Sequence, residues 1–313
     1  MVLGHQIRLP HPLAPAAVSQ ADAFADFDIS VENHWLEKWV GANRRFWIWL
    51  DRVETEFLAD RLRTLRIDRP VYVSGLARSG STILLEILAS MPHVATHRYR
   101  DCPPFFVPYF WNRIVDRIPR RSVAAVERTH RDGIMVTPES PEAMEEVLWM
   151  AFFPDAHDPA RCNVLGPDTS NPEFERLYVD HLRKIMLVRG GNRYASKANY
   201  NATRLEYLQR MFPDARFIIP IRKPAAHIAS LMKQHRLFCE GQQLSPRARD
   251  HLRWIGHFEF GLDRRPINGG RSAGHRGYPA ALERWGRRQG LEPILGQHLS
   301  LSCRPAGRQS GFA

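Results

Sequence analysis

The chain has 313 residues, of which 44% are hydrophobic, 10% aromatic and 25% charged. This composition is average for a globular protein, so it excludes intrinsic disorder, a collagen-like fibre and a small disulfide scaffold. The formal net charge of +11 is unusual and leaves two explanations open: an Arg-rich composition without functional meaning, or an anionic partner such as nucleic acid, phosphate or a membrane.

Residues 1–30 are rich in Pro and Ala and indicate an extended arm. Prolines and charges stand where a signal peptide needs an apolar run, and no stretch approaches the roughly 18 apolar residues that span a bilayer. The cysteines are scattered, without the close spacing of zinc or redox motifs: Cys102, Cys162, Cys239 and Cys303. We therefore expect a cytoplasmic protein with reduced thiols, no membrane span and no bound metal.

From residue 33 to about residue 65 the chain contains no Pro, and its apolar residues recur at helical spacing. With the arm, this helical segment forms the first predicted region, residues 1–66. Four tryptophans lie in it: Trp35, Trp39, Trp47 and Trp49. They could form a binding face, but we favour buried anchors that hold the segment onto the main body.

The next predicted unit is a strand, a loop and a helix. Val71–Val73 is a short β-branched and aromatic run, residues 75–82 form a Gly/Ser loop, and residues 83–89 are typical of a buried helix. The loop matches an ATP-binding phosphate loop except that Ser81 replaces its lysine. Backbone N–H groups at a helix N-terminus still favour phosphate, and Arg78 supplies a cation, but without the lysine we do not expect nucleoside triphosphate hydrolysis.

Further along the chain, strands continue to alternate with helices. We predict helices over 121–131, 141–152, 173–188 and 201–211, a strand over 216–221, and a helix from Pro224 to about Leu237. Alternation of this kind predicts an α/β fold with a P-loop-like parallel sheet flanked by helices. We place this α/β domain at residues 67–263.

A second anion site is predicted after the strand at 216–221. Arg222 stands at the carboxyl end of that strand, where ligands bind in open α/β sheets, and Ser230 follows two helical turns later. Arg222 alone would be equally consistent with a surface charge. Two phosphate sites on two strand–helix units point to a ligand with phosphate at both ends.

These residues resemble the sulfotransferases that use 3′-phosphoadenosine 5′-phosphosulfate (PAPS), in the branch that includes bacterial family members and the tyrosylprotein sulfotransferases. The family's 5′-phosphosulfate loop, R-S-G-[ST]-T, is matched by Arg78, Ser79, Gly80, Ser81 and Thr82. Its 3′-phosphate site is matched by Arg222 and Ser230, and its catalytic lysine by Lys197, 25 residues before Arg222. The resemblance covers about residues 70–262.

The resemblance implies the sulfotransferase fold, PAPS as co-substrate, and in-line transfer of a sulfuryl group to a hydroxyl or amine. Arg78 and Lys197 would then stabilise the leaving group, with no metal. The acceptor could be a small molecule, a carbohydrate, a lipid or a peptide, and no nucleic acid is expected as partner. One alternative is a P-loop kinase or ATPase, which Ser81 disfavours. The other is a basic nucleic-acid-binding protein, which would need clustered basic residues with interleaved aromatics, and this sequence shows no such pattern before residue 264.

The general base is less clearly indicated. Related tyrosylprotein enzymes use a Glu beyond the phosphate loop, but the corresponding segment here, residues 96–101, contains none. His97 and Asp101 are therefore the first candidates, and Glu145 is the next. For Glu142 and Glu145 the position at a predicted helix start favours a simpler role, as partners of the helix dipole.

Residues 264–313 form a third, atypical region. They hold nine Arg, two Glu, no Lys and no Asp, and so account for +7 of the net charge of +11. A basic tail is one explanation. We hypothesise instead a reading-frame shift near residues 267–271, because permissible codons read one base later can encode an amphipathic helix, a polar turn and an aromatic helix, which resembles the continuation of bacterial family members. The fold would then be incomplete at its C-terminus, and this chain would have weak or absent activity.

Overall fold

Four short strands form a parallel sheet at the centre of the chain. The computed structural model describes residues 24–118 and 124–269. The sheet consists of β1 (Val71–Val73), β2 (Val94–Ala95), β5 (Arg193–Lys197) and β6 (Arg216–Ile218), in spatial order β2–β5–β1–β6. The central strand β1 pairs with β5 on one side and β6 on the other, all in parallel. Two further strands form an antiparallel hairpin: β3 (Val126–Glu127) and β4 (Met135–Val136).

Helices flank the sheet, so the predicted α/β fold is confirmed. The helices are α1 (Val31–Ala42), α2 (Arg44–Phe57), α3 (Ala59–Arg63), α4 (Ser81–Ser90), α5 (Pro108–Val115), α6 (Glu146–Phe152), α7 (Pro172–Arg189), α8 (Leu205–Met211), α9 (Pro224–Leu244) and α10 (Pro246–Trp254). Short 3₁₀ turns lie at Ala25–Phe27, Tyr99–Asp101 and Asn199–Thr203. Across the described segments, every helix is too short or too polar to cross a membrane.

The long helix α7 shows how local sequence sets the boundaries. The Asn171 side chain accepts a hydrogen bond from the backbone N–H of Phe174 at 3.1 Å, and Pro172 occupies the first turn, where its missing N–H costs nothing. Gly190 ends the helix in the left-handed region, at φ 66°. The helix predicted over 173–188 is therefore confirmed within a residue at each end.

An aromatic core lies against the sheet. Trp149 of α6 packs on Phe174 with ring centroids 4.4 Å apart, and Phe174 stacks on Tyr178 at 5.2 Å. Tyr72 of β1 and Tyr194 of β5 are fully buried in the same cluster. A core aromatic of this kind contributes about 3–5 kcal/mol to stability, judged by truncation to Ala. This packing holds the strands of the sheet, and therefore their carboxyl ends, in fixed positions.

The tryptophans of the N-terminal helices divide into two groups. Trp47 is 7% exposed and belongs to the main core, as the buried-anchor interpretation expects. For Trp35, Trp39 and Trp49 that interpretation is wrong, because they are 67%, 48% and 55% exposed. Each helix turns only one face to the core, and aromatic residues occupy the outer face as well.

Three predicted helices differ in the structure. The helix over 201–211 is a 3₁₀ turn as far as Thr203 and an α-helix only over Leu205–Met211. The helix over 121–131 is wrong for its described part, where β3 pairs with β4 instead; residues 119–123 lie outside the described residues. These residues favour a helix locally, but the pairing of β3 with β4 outweighs that preference. The helix over 141–152 begins only at Glu146, because the backbone N–H of Glu142 donates to the His97 carbonyl at 3.1 Å and keeps the preceding residues extended.

Strand lengths differ as well. β5 was not predicted, because a strand buried on both faces shows no alternation of polar and apolar residues. β6 ends at Ile218 rather than at residue 221, and Pro220, which has no N–H for a ladder, follows it. The helix from Pro224 is confirmed and extends to Leu244.

The last region is only partly described. Residues 270–313 lie outside the described residues, so the frameshift hypothesis and the proposed C-terminal incompleteness stay predictions that the gene sequence can test. The domain boundaries at residues 66 and 263 also stay predictions.

Candidate functional site

The carboxyl ends of three neighbouring strands bring charged residues to one edge of the sheet. β1 leads into the loop at residues 75–80, β5 ends at Lys197, and β6 is followed by Arg222. A cavity of about 730 Å³ opens at this edge, and its lining includes Arg78, Thr82, Lys197 and Arg222. The structure thus brings together sequence-predicted residues that are up to 144 positions apart.

The loop between β1 and α4 is shaped to accept an anion. Arg78 and Gly80 both have left-handed backbone conformations, with φ of 67° and 98°, and a side chain at Gly75 would collide with Pro220. The first N–H groups of α4 have no partner within the helix. The hydroxyl of Ser79 is buried and has no hydrogen-bond partner among the described residues. Hydrogen-bond donors of this kind suit an anionic group.

Arg78 connects the two predicted anion sites. Its Nε donates to Ser230 Oγ at 3.1 Å, and its backbone carbonyl accepts a hydrogen bond from Arg222 Nη1 at 3.2 Å. His227 reinforces this junction, with Nε2 2.7 Å from the carbonyl oxygen of Ala77. Residues of the phosphate loop and of the second site are therefore in direct contact.

The hairpin β3–β4 adds a third arginine to the site, and the sequence did not single this one out. Arg128 donates from Nε and Nη2 to Asp132 at 3.0 and 2.6 Å, and from Nη1 to Thr82 Oγ1 at 3.2 Å. Arg78 Nη1 donates to the same Asp132 at 2.5 Å. Burial raises the pKa of Asp132, but the hydrogen bonds from both arginines outweigh it and hold that pKa well below its usual value. Arg128 lay in a predicted helix, so no local signal identified it.

Lys197 faces a carboxylate across the cavity. Its Nζ lies 3.8 Å from Glu142 Oε1, and Glu142 also accepts hydrogen bonds from the Tyr99 hydroxyl at 2.5 Å and the Ala143 N–H at 2.6 Å. Burial raises the pKa of Glu142, but Lys197 and these hydrogen bonds lower it overall. Glu142 is therefore ionised at neutral pH and can accept a proton.

Asp101 and His97 lie away from this cavity. Asp101 is 1% exposed and accepts hydrogen bonds from Arg189 Nη2 at 2.5 and 2.6 Å and from Asn112 at 2.8 Å. Burial raises its pKa, but His97 and Arg189 lower it well below its usual value. His97 Nε2 lies 3.0 Å from His181 Nε2 in the interior. The structure does not bring these two residues to the site.

Glu145 borders the cavity, but its carboxylate is engaged in the interior. It is 1% exposed and accepts hydrogen bonds from Tyr178, at 2.8 Å, and from Tyr194. Burial and the Glu145 charge raise the pKa of both tyrosines well above the usual value, so both remain hydroxyl donors. Of the candidate carboxylates in this segment, only Glu142 faces Lys197.

A family model described as the sulfotransferase family matches residues 70–263. The sulfotransferase STF1 from Mycobacterium tuberculosis H37Rv is similar with 13% identity and a TM-score of 0.39, covering 82% of this chain and 73% of that one. The sulfotransferase STF9 from Mycobacterium avium has 16% identity and a TM-score of 0.35, covering 79% and 71%. A search of curated proteins finds no match.

Proposed function

The chain belongs to the sulfotransferase family, and from that premise we propose that it transfers a sulfuryl group from PAPS to a hydroxyl or amine acceptor. The observation that carries this proposal is the convergence of Arg78, Lys197 and Glu142 on one cavity beside the N-terminus of α4. This combination offers cations for an anionic donor and a carboxylate for a proton. A metal plays no part in the proposed reaction.

The donor is proposed to bind along the carboxyl edge of the sheet. The loop residues hold its 5′-phosphosulfate through Arg78, the Ser79 hydroxyl and the first N–H groups of α4. Arg222 and Ser230 hold its 3′-phosphate. The contacts between Arg78 and these two residues support the assignment, because a ligand carrying both phosphates must span adjoining sites.

The proposed transfer is a single displacement at sulfur. The acceptor oxygen or nitrogen forms a bond to sulfur while the bond from sulfur to the bridging oxygen of the 5′-phosphate breaks. The electron pair remains on the leaving adenosine 3′,5′-bisphosphate, and Arg78 and Lys197 stabilise the negative charge that develops there. The acceptor proton passes to Glu142.

We choose Glu142 over the other candidate bases on geometric grounds. It is 3.8 Å from Lys197 and lines the cavity. Asp101 is enclosed by Arg189 and Asn112, His97 contacts His181, and Glu145 is engaged by two tyrosines. A base must reach the proton that it removes, and only Glu142 of these four is placed to do so.

The acceptor is proposed to carry an apolar body. Beyond the charged residues the cavity lining is largely hydrophobic, and includes Phe27, Leu252, Ile255 and Phe260. Burying a hydrocarbon or aromatic group against such a wall contributes about 25 cal/mol per Å². A hydroxyl attached to an aromatic or aliphatic group therefore suits the site better than a free sugar.

Binding of adenosine 3′,5′-bisphosphate tests the function. At 100 times its dissociation constant it should stabilise the protein by about 2.7 kcal/mol in a thermal-shift measurement, and Arg222→Ala should reduce that effect. Preferential binding of ATP would favour a kinase. No shift with the bisphosphate, together with salt-sensitive binding of DNA, would overturn the proposal.

A further inference from the structure

We propose that Arg128 is a third donor-binding arginine, beside Arg78 and Arg222, and that Asp132 competes with the donor for Arg128 and Arg78. The hairpin β3–β4 carries both new residues, four positions apart. This inference rests on the proposed function, because it concerns the same anion-binding loop. It adds to that function an internal carboxylate that sets the affinity for the donor.

The contacts of Arg128 place it at the donor loop. Its Nη1 donates to Thr82 Oγ1 at 3.2 Å, and Thr82 lies in the first turn of α4. Its side chain is only 8% exposed, so solvent screens its charge weakly. Arg128 therefore approaches the loop from the hairpin, whereas Arg222 approaches it from the strand β6.

Asp132 bridges the two arginines. One oxygen, Oδ2, accepts from Arg78 Nη1 at 2.5 Å and from Arg128 Nη2 at 2.6 Å, and the other accepts from Arg128 Nε at 3.0 Å. These are charge-assisted bonds in a half-buried setting, which makes them stronger than bonds between neutral groups. A carboxylate and a phosphosulfate present the same kind of acceptor oxygen to a guanidinium. A donor bound to Arg78 and Arg128 would therefore compete with Asp132 for their N–H groups, including Arg78 Nη1 and Arg128 Nη2.

The cluster retains the capacity to bind an anion. Two guanidinium groups and one carboxylate leave one net positive charge, and Asp132 makes no hydrogen bond to Ser79, whose buried hydroxyl has no partner among the described residues. The donor can bond to that hydroxyl and to the N–H groups of α4, which Asp132 does not reach. These extra contacts favour the donor over the internal carboxylate.

The hairpin is held in place by contacts that do not involve the donor loop. Arg131 pairs with Asp26 at 2.6 Å, and Thr129 Oγ1 donates to the Asp26 carbonyl at 3.0 Å. Gly133, next to Asp132, has a φ of 79°, which glycine adopts without strain. Asp132 can thus leave Arg78 while the rest of the hairpin remains attached to the N-terminal segment.

Calorimetric titration of the full chain with adenosine 3′,5′-bisphosphate tests the competition. Asp132→Asn removes the competing charge, and we expect binding about tenfold tighter, which corresponds to about 1.4 kcal/mol. Arg128→Gln removes a donor-binding group, and we expect binding at least tenfold weaker. In the double variant the gain from Asp132→Asn should shrink, because Arg128 is no longer there to be released.

An exposed ion pair supplies matched controls. Asp60 and Arg63 are 3.2 Å apart with side chains 96% and 77% exposed, so Asp60→Asn and Arg63→Gln make the same charge changes without touching the site. Both should bind the bisphosphate as the wild type does. Should Asp132→Asn not fold, Arg128→Lys keeps a cation beside Asp132 but lacks the planar fork, and weaker binding is expected there too.

The outcomes separate this inference from the proposed function. Equal or weaker binding by folded Asp132→Asn, or unchanged binding by both Arg128 variants, would overturn the inference alone. Absence of binding by the wild type and by both controls would overturn the proposed function together with it.

Discussion

Two lysines are buried in the part of the chain that the structure describes, and their surroundings differ. Lys184 of α7 is 0% exposed, and its Nζ lies 2.7 Å from Asp51 Oδ1, 2.9 Å from the Asp51 carbonyl and 3.2 Å from Glu54 Oε2. Lys197 at the end of β5 is 8% exposed and lies 3.8 Å from Glu142 beside the large cavity. Burial of a charge is common to both, so burial alone does not mark a functional site. Incomplete pairing at a cavity distinguishes Lys197.

Replacing Lys184 should have the largest effect on the protein. In Lys184→Met the carboxylates of Asp51 and Glu54 lose their shared cation inside the core, which costs about 3–5 kcal/mol of unfolding free energy. Urea denaturation measures this loss. Lys38→Met is the control, because Lys38 is exposed and its nearest carboxylate is 3.8 Å away; it should change stability by less than about 0.5 kcal/mol. Similar stability of the two variants would remove the contrast between the lysines.

Replacing Lys197 should instead reduce catalysis. In Lys197→Met the leaving group loses a stabilising cation, and we expect turnover of PAPS to fall by about 10²–10³-fold, equivalent to about 2.7–4 kcal/mol. Release of adenosine 3′,5′-bisphosphate measures turnover, with a phenol or water as acceptor. Glu142 keeps its bonds from Tyr99 and Ala143, so the stability should change little. A loss of stability as large as that of Lys184→Met, with turnover retained, would contradict this assignment.

The carboxylates Glu142 and Asp101 differ in the same way as the two lysines: Glu142 lines the cavity, whereas Asp101 is paired in the interior. Glu142→Gln should reduce turnover by about 10²-fold, because the proton then has no base to receive it. Asp101→Asn should reduce stability, because Arg189 loses its buried ion-pair partner, but it should leave turnover per folded molecule unchanged. If Asp101→Asn lost turnover and Glu142→Gln kept it, Asp101 rather than Glu142 would be the general base.

The Tyr99 hydroxyl helps to lower the pKa of Glu142, so Tyr99→Phe should raise that pKa and move the acid limb of the pH–rate profile to higher pH.

The sequence could predict those parts of the site that are local. The loop from Arg78 to Thr82 needs only a strand, a glycine-rich turn and a helix start, and adjacent residues encode all three. Arg222 could be identified because it follows a predicted strand, and ligands bind at the carboxyl ends of the strands in a parallel sheet. Lys197 was indicated only by the family resemblance, since the strand β5 that carries it was not predicted. Glu142 and Asp101 look equivalent in sequence, since which cation each one meets is decided by contacts between distant segments.

The same limit explains the missed hairpin. Residues 124–131 contain good helix formers, and nothing local shows that Arg128 meets Thr82, 46 positions earlier, or that Asp132 meets Arg78. Isolated propensity favours the helix, whereas pairing of β3 with β4 and the ion pairs of Arg128 favour the hairpin. Tertiary contacts therefore override local preference at the site where the charges converge.

The cluster around Lys184 also predicts a smaller effect, on the pH dependence of stability. Burial raises the pKa of Glu54 to about 7, although Lys184 and the Phe110 N–H lower it in part. A carboxyl whose pKa is raised by folding binds its proton more tightly in the folded state, so its contribution to stability falls as the pH rises above the unfolded value. Glu54→Gln does not titrate. Relative to this variant, the wild type should lose about 1–2 kcal/mol of unfolding free energy between pH 5.5 and pH 7. Urea denaturation at both pH values measures the difference, and the exposed control Glu56→Gln should show none. If the difference in unfolding free energy between Glu54→Gln and the wild type were the same at both pH values, Lys184 would keep Glu54 ionised over this range, as Lys197 does for Glu142.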